Sequence, residues 1–189
     1  MSSPLGHALA GAILVWPQHG KMSFPKIPVL LTGMVIANIP DLDFIPGFIL
    51  GQPNLFHHGI SHSLGAALLF ALFWELLLNR LVRWRVYISS MRVFFLYSSH
   101  LFLDLLSRDG RPPFGIPLFW PFIDTYFIVP ILPAVRHSQY DHASVGMVLR
   151  DIFSLHNVYV MGMEILLLLP LLLAMFLWTR WHNGQVKAL

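Results

Sequence analysis

The sequence predicts an all-α integral membrane protein: a bundle of about five apolar helices with a proline- and aromatic-rich interfacial segment. Three observations lead there. Only 11% of the residues are charged and 56% are hydrophobic, with a mean hydropathy of +0.66. Soluble domains carry about 25% charged residues, so this chain lacks the groups to cover itself with a wetted surface. Long apolar runs recur between short basic connectors. A further stretch, 107–133, is equally apolar but too broken by prolines to continue as a helix.

The length of 189 residues suits a single domain, 1–189, with the chemistry-bearing motifs within 1–124. There is no cysteine, which excludes disulfides and thiolate metal sites and restricts any metal to nitrogen and oxygen ligands. The net charge is +3 and the pI about 9.5. The basic residues cluster in connectors between apolar runs, so the excess reads as helix orientation, with no nucleic-acid partner.

Residues 1–16 open with Ser3 as a cap and Pro4 at the first helical position, and His7 falls in the second turn. No Lys or Arg precedes this apolar run, so it reads as a retained helix, not a signal peptide. A second run, 29–39, stops at Pro40. Next comes NIPDLDFIPG, with Asp41 and Asp43 two apart. Alternate side chains of an extended segment share one side, so both carboxylates are expected to face one ion.

HHGISHSL, residues 57–64, is expected to open the third helix, with His58 and His62 four apart and His57 beside them. Three histidines in six residues are hard to explain as packing, and neutral imidazole is the commonest metal ligand. Ser61 and Ser63 serve either as partners of the histidines or as helix-start residues, the latter being the simpler reading. Glu75, about four turns on, reads as structural or interfacial. The fourth helix, about 93–106, carries His100 and Asp104 four apart on one face in an apolar setting. A buried acid and imidazole there need partners or a cation.

The segment 107–133 reads as re-entrant or interfacial, the functional alternative being a wall of an acyl-chain pocket. His137, Asp141, His142, Asp151 and His156 follow in the most polar stretch, and wetted loop positions explain them better than ligation. The fifth run, 158–178, is long enough to cross a bilayer and carries Glu164 one to two turns inside, a functional candidate without an evident partner. No repeat, low-complexity run or nucleotide-binding glycine motif is present.

If the first four runs traverse alternately, His7, the two aspartates, the three histidines, and the His100–Asp104 pair all fall at one end of the bundle. Lys21, Lys26, Arg80, Arg83, Arg85, Arg92, Arg180 and Lys187 fall at the other. The positive-inside rule then puts the basic end in the cytoplasm and the histidine and carboxylate site on the outer face. The apolar parts of the first two helices are shorter than the roughly 20 residues of a full span.

GHALAG near the start, PDLD at 40–43, HHGISHSL at 57–64 and SSHLFLDLLSRDGRPPFGIPLFWPF at 98–122 together resemble the YdjM-like family of membrane-bound metal-dependent hydrolases. The motif order is more distantly similar to the zinc-dependent phospholipase C fold. The resemblance implies a bacterial inner-membrane protein whose metal ligands are His7, Asp41, Asp43, His57, His62, His100 and Asp104. Where the family has a basic residue after the first histidine of its HxGxxHS motif, this chain has His58, a ligand or a phosphate-facing group. The expected activity is hydrolysis of a phosphoester in a membrane lipid or lipid-linked substrate. Two or three divalent ions are expected, zinc first and manganese or iron as alternatives, with Asp41 or Asp43 as general base and His58 on the leaving oxygen. The competing readings are a divalent-metal transporter or sensor, for which only Glu75 and His19 lie toward the opposite side, and a metal-stapled structural bundle.

Overall fold

The computed structural model describes residues 1–16, 25–52, 54–82, 87–110, 112–136, 150–151 and 153–186. Helix α1 (Pro4–Val15) starts on the Ser3 cap, whose hydroxyl accepts from Gly6 N–H, with Pro4 inside the first turn. Helix α2 (Ile27–Ile36) ends at Ala37, and the chain tightens into a 3₁₀ turn over Ile39–Asp43 before α3 (Phe44–Ile49). A second 3₁₀ turn, Ile60–His62, precedes α4 (Leu64–Phe73), which Ser63 caps by accepting from Ala66 N–H. That helix runs on through a π-helical turn, Trp74–Leu78, into α5 (Asn79–Val82). Helix α6 (Ser90–Leu106) and the 32-residue α7 (Leu155–Val186) complete the bundle. No strand forms among the described residues, as an all-α class requires.

Five membrane-crossing helices are too many. Among the described residues, only Leu64–Leu81 and Leu155–Asn183 are long and apolar enough to cross, and the pair Ile27–Ile36 and Ile39–Ile49, bent by 53°, makes a third if taken as one span. The reason is length. Twelve-residue α1 covers about 18 Å and 17-residue α6 about 25 Å, against a hydrocarbon core of about 30 Å. Helix α6 also carries Arg92, His100 and Asp104 within its length.

The shorter helices form the interior. Val15, Ile36, Trp74, Val93 and Leu96 close one buried cluster and Ala67, Tyr97, Leu101 and Ile116 another. Trp16 Nε1 donates to Thr179 Oγ1 at 2.9 Å, fastening α1 to α7. Leu166, Leu167, Leu171, Leu173 and Leu177 on α7 remain exposed, as on a helix solvated by lipid. Helices α1 and α2 approach until Gly11 meets Gly33: a Cβ on Gly11 would lie 2.5 Å from Gly33 O and 2.9 Å from Ala37 Cβ.

The described residues of 107–136 are non-helical, and α6 and α4 meet part of their hydrogen-bonding need. Val129 N–H donates to Leu105 O at 2.7 Å and Ile131 N–H to Leu106 O at 2.9 Å, two carbonyls left over at the end of α6. At the start of α4, Leu64 N–H donates to Leu118 O at 2.9 Å. Gly65 makes room there, since a Cβ would sit 2.5 Å from Trp120 O.

Gly11→Ala sets a methyl against a backbone oxygen that has no rotamer to escape by. It is expected to lower the unfolding temperature in detergent, at a cost of about 1–3 kcal/mol. Unchanged thermal stability would show that α1 and α2 do not cross this closely.

Candidate metal centre

Four separate pieces of chain bring their imidazoles and carboxylates to one place. Helix α6 projects His100 and Asp104 from one face, one turn apart, with Nε2 and Oδ2 separated by 3.1 Å. The His100 ring is set by Ala37 O, an orphan carbonyl at the end of α2, which lies 2.8 Å from Nδ1. That bond puts the proton on Nδ1 and turns the Nε2 lone pair inward.

His62, on the turn before α4, is set in the same way. Its Nδ1 lies 3.1 Å from Asp43 Oδ2, and its Nε2 faces the other donors. Asp43 holds two imidazoles at once, with Oδ1 3.0 Å from His57 Nδ1, and Ser61 Oγ donates to its Oδ2 at 2.7 Å. Ser61 is thus a partner of the site, contrary to its reading as a helix-start residue, whereas Ser63 is the helix cap. Asp41, two residues before Asp43, reaches the inner imidazoles, with Oδ1 3.4 Å from His100 Nε2 and 3.6 Å from His62 Nε2. The segment is a 3₁₀ helix and not the expected extended chain, yet Asp41 and Asp43 still offer carboxylate oxygens within 4.8 Å of each other and of a His57 nitrogen, close enough to share an ion.

The four inner atoms, one each from Asp41, His62, His100 and Asp104, lie within 4.8 Å of one another. Five of their separations are 3.2, 3.4, 3.6, 3.1 and 3.5 Å. A tetrahedron around zinc, with ligand distances of about 2.0–2.1 Å, has edges of about 3.3–3.4 Å. Two further sets, His57 with His58 and His62, and Asp41 with Asp43 and His57, adjoin this one. His7 stacks on His100 with centroids 3.6 Å apart, and its Nε2 lies 3.5 Å from Asp104 Oδ1.

HHGISHSL does not open α4 as a helix. His58 sits in the left-handed region at φ 60°, and the 3₁₀ turn follows. That backbone costs a non-glycine residue roughly 1–2 kcal/mol. It aims Nδ1 at Asp109 Oδ2, 3.1 Å away, and Nε2 to within 4.0 Å of Asp104 Oδ2. Asp109 went unassigned in the sequence, although an acid before a glycine directly after the His100–Asp104 helix was the available signal. His156 Nε2 donates to Ala134 O at 2.9 Å and Asp151 offers its carbonyl to Asn157, and neither belongs to the donor sets. His137, Asp141 and His142 lie outside the described residues. Glu75 lies about 20 Å along α4 from His62, accepting from Asn79 Nδ2.

The donor set fits a cation. Both Asp41 oxygens, both His7 nitrogens, His58 Nε2 and Asp104 Oδ2 are buried without a hydrogen-bond partner among the described residues. Leaving a polar atom so costs about 1–3 kcal/mol, which a divalent ion offsets. Electrostatics point the same way. Burial would push His62 down, yet Asp104, Asp41 and Asp43 hold it well above the ordinary histidine value: the cluster calls for positive charge. Burial lowers His57 to about 3 despite Asp43 beside it, and lowers His58 despite Asp109, leaving both neutral.

A divalent ion must displace the proton held on His62. Binding to metal-free protein is therefore expected to release protons, and affinity to fall as pH falls. Titration calorimetry in buffers of different ionisation enthalpy reads both; affinity independent of pH would contradict the assignment. Asp104→Asn is expected to abolish tight metal binding, as read by elemental analysis after dialysis.

The sequence of the chain matches the YdjM inner membrane protein family over residues 1–184. No curated protein and no solved structure matches it, so the likeness to zinc-dependent phospholipase C rests on motif order alone. A match over nearly the whole length, including every residue of the cluster, makes this chain a member of the YdjM inner membrane protein family.

Proposed function

We propose that the protein is a membrane-bound, metal-dependent hydrolase acting on a phosphoester bond of a lipid or lipid-linked substrate. The observation that carries this reading is where the cluster sits. A pocket of about 940 Å³ has His57 and His58 in its lining and Arg108 and Arg136 beside them. Neither arginine forms an ion pair among the described residues. Guanidinium groups match phosphate oxygens bidentately, so an anionic ester is held against the donor set by the chain itself.

The wall that carries Arg136 is fixed from α7. Asn157, buried, accepts from Arg136 N–H at 2.7 Å and donates to Arg136 O at 2.8 Å. Pro112, Pro113 and Pro133 give the pocket an apolar side suited to the first part of a lipid tail.

Divalent ions held by Asp41, His62, His100, Asp104 and their neighbours supply Lewis acidity toward a phosphoryl oxygen and make a nearby water acidic. Zinc suits the histidine and carboxylate donors best, with manganese or iron as alternatives. His58 manages the proton. Its Nδ1–H is donated to Asp109, so the buried Nε2 is left as an acceptor beside Asp104, able to take a proton from a water held among the donors and return it to the leaving oxygen. Both Asp43 oxygens are occupied by His57, His62 and Ser61, so Asp43 orients imidazoles and is not the base. The excess of basic residues in the connectors supports a reading with the opposite end in the cytoplasm and the site on the extracytoplasmic side. A transit site or a closed staple accounts less well for a donor set that adjoins a large pocket.

A panel of phosphodiester and phospholipid substrates tests the proposal. Hydrolysis is expected with metal-loaded protein, lost with a chelator and restored by the ion. Arg136→Ala is expected to raise KM roughly 10-fold or more, the worth of one charge-assisted hydrogen bond. His58→Ala is expected to lower kcat by roughly 10²–10⁴-fold. Metal-loaded protein that cleaves no ester in the panel would contradict the proposal.

A further inference from the structure

Glu164 is the tenth residue of the long apolar helix α7 and is buried. An acid at such a depth needs partners, and the structure supplies them from the far end of the sequence. Ser2 Oγ donates to Glu164 Oε1 at 2.5 Å, Ser3 N–H donates to the same oxygen at 2.8 Å, and Ser3 Oγ donates to Oε2. Ser2 and Ser3 are themselves fully buried. The fit is close: a Cβ on Gly6 would lie 2.7 Å from Glu164 Oε2 and 2.8 Å from its Cδ.

The residues that Glu164 grips also touch the metal donors. Ser2 N–H donates to Asp104 Oδ1 at 2.7 Å. That bond occupies one oxygen of Asp104 and leaves Oδ2 for the inner set, 3.1 Å from His100 Nε2. Ser3 is the cap of α1, and its carbonyl accepts the helix's first bond from His7 N–H at 3.1 Å. His7 in turn stacks on His100. Two members of the cluster are thus set through a two-residue bridge that ends on one carboxylate.

We propose that Glu164 is a positioning residue of the metal centre. Through Ser2 and Ser3 it fixes the rotamer of Asp104 and the starting register of α1, and so couples helix α7 to metal affinity. The inference rests on the cluster being a metal centre and not on the reaction it serves. A simple staple between α7 and α1 would use the same hydrogen bonds but would leave the affinity of the donors unchanged.

The test uses the full chain in detergent with Co²⁺ alone as probe, reading affinity by competition with a chelating dye and geometry by visible absorption. Glu164→Gln keeps the shape but turns an NH₂ toward donors that need an acceptor. It is expected to weaken Co²⁺ binding roughly 10- to 100-fold, the usual cost of losing an outer partner, and to alter the absorption band. Glu164→Asp is expected to recover part of the loss. Ser2→Ala, which keeps the N–H to Asp104 but loses the hydroxyl, is expected to give a smaller loss, and it carries the test if Glu164→Gln fails to fold. Wild-type affinity and spectrum in a folded variant, even one of lower thermal stability, would overturn the inference. Absence of Co²⁺ binding by the wild-type chain would instead overturn the metal centre on which it rests.

Discussion

Three carboxylates and a group of imidazoles share a largely buried site at the edge of one pocket, and the rest of the structure is arranged around that fact. Asp41, Asp43 and Asp104 cannot sit together in a low-dielectric interior without positive charge. Without a cation, the protein must hold protons on its own imidazoles, as the raised His62 shows. Several polar atoms still face inward without a hydrogen bond, which a well-packed interior does not tolerate without cause. Divalent cations resolve both demands at once. The outer partners look built for that purpose: Ala37 O and Asp43 each take one ring nitrogen and leave the other aimed at the centre.

The bundle is organised to deliver those groups and not simply to cross a membrane. Helices α1 and α6 are too short to span, yet they contribute His7, His100 and Asp104. The longer helices wrap them, α4 beside the His62 turn and α7 behind the serines of the amino-terminal segment. The non-helical segment 107–136 seals the ends of α4 and α6, and supplies Asp109, Arg108 and Arg136 to the pocket. Site and scaffold are therefore interdependent: a helix that moved by one turn would take its donors with it.

Much of this was legible in the sequence where local geometry carries the signal. His100 and Asp104 share a face because a helix puts i and i+4 together, and Ser3 with Pro4 marks the start of α1. The meeting of His7, Asp41, His62 and His100 followed from the alternation of apolar runs. Other features were not legible, for stated physical reasons. The count of five crossing helices failed because apolar composition does not report helix length. Periodicity took HHGISHSL for a helix start, but His58 adopts a left-handed backbone that no pattern of residue types announces. Asp41 and Asp43 reach one donor set, but from a proline-bounded 3₁₀ turn and not from the extended segment their spacing suggested. Glu164 could be flagged as a buried acid, whereas its partners, 161 and 162 residues away, depend on tertiary packing alone.

X-ray absorption at the metal edge of the purified, metal-loaded protein reads the donor set itself. A metal held by these residues gives nitrogen and oxygen neighbours at about 2.0–2.1 Å for zinc, with the multiple-scattering signature of at least two imidazoles. A shell of water oxygens alone, or a protein that retains no metal, would contradict the metal centre.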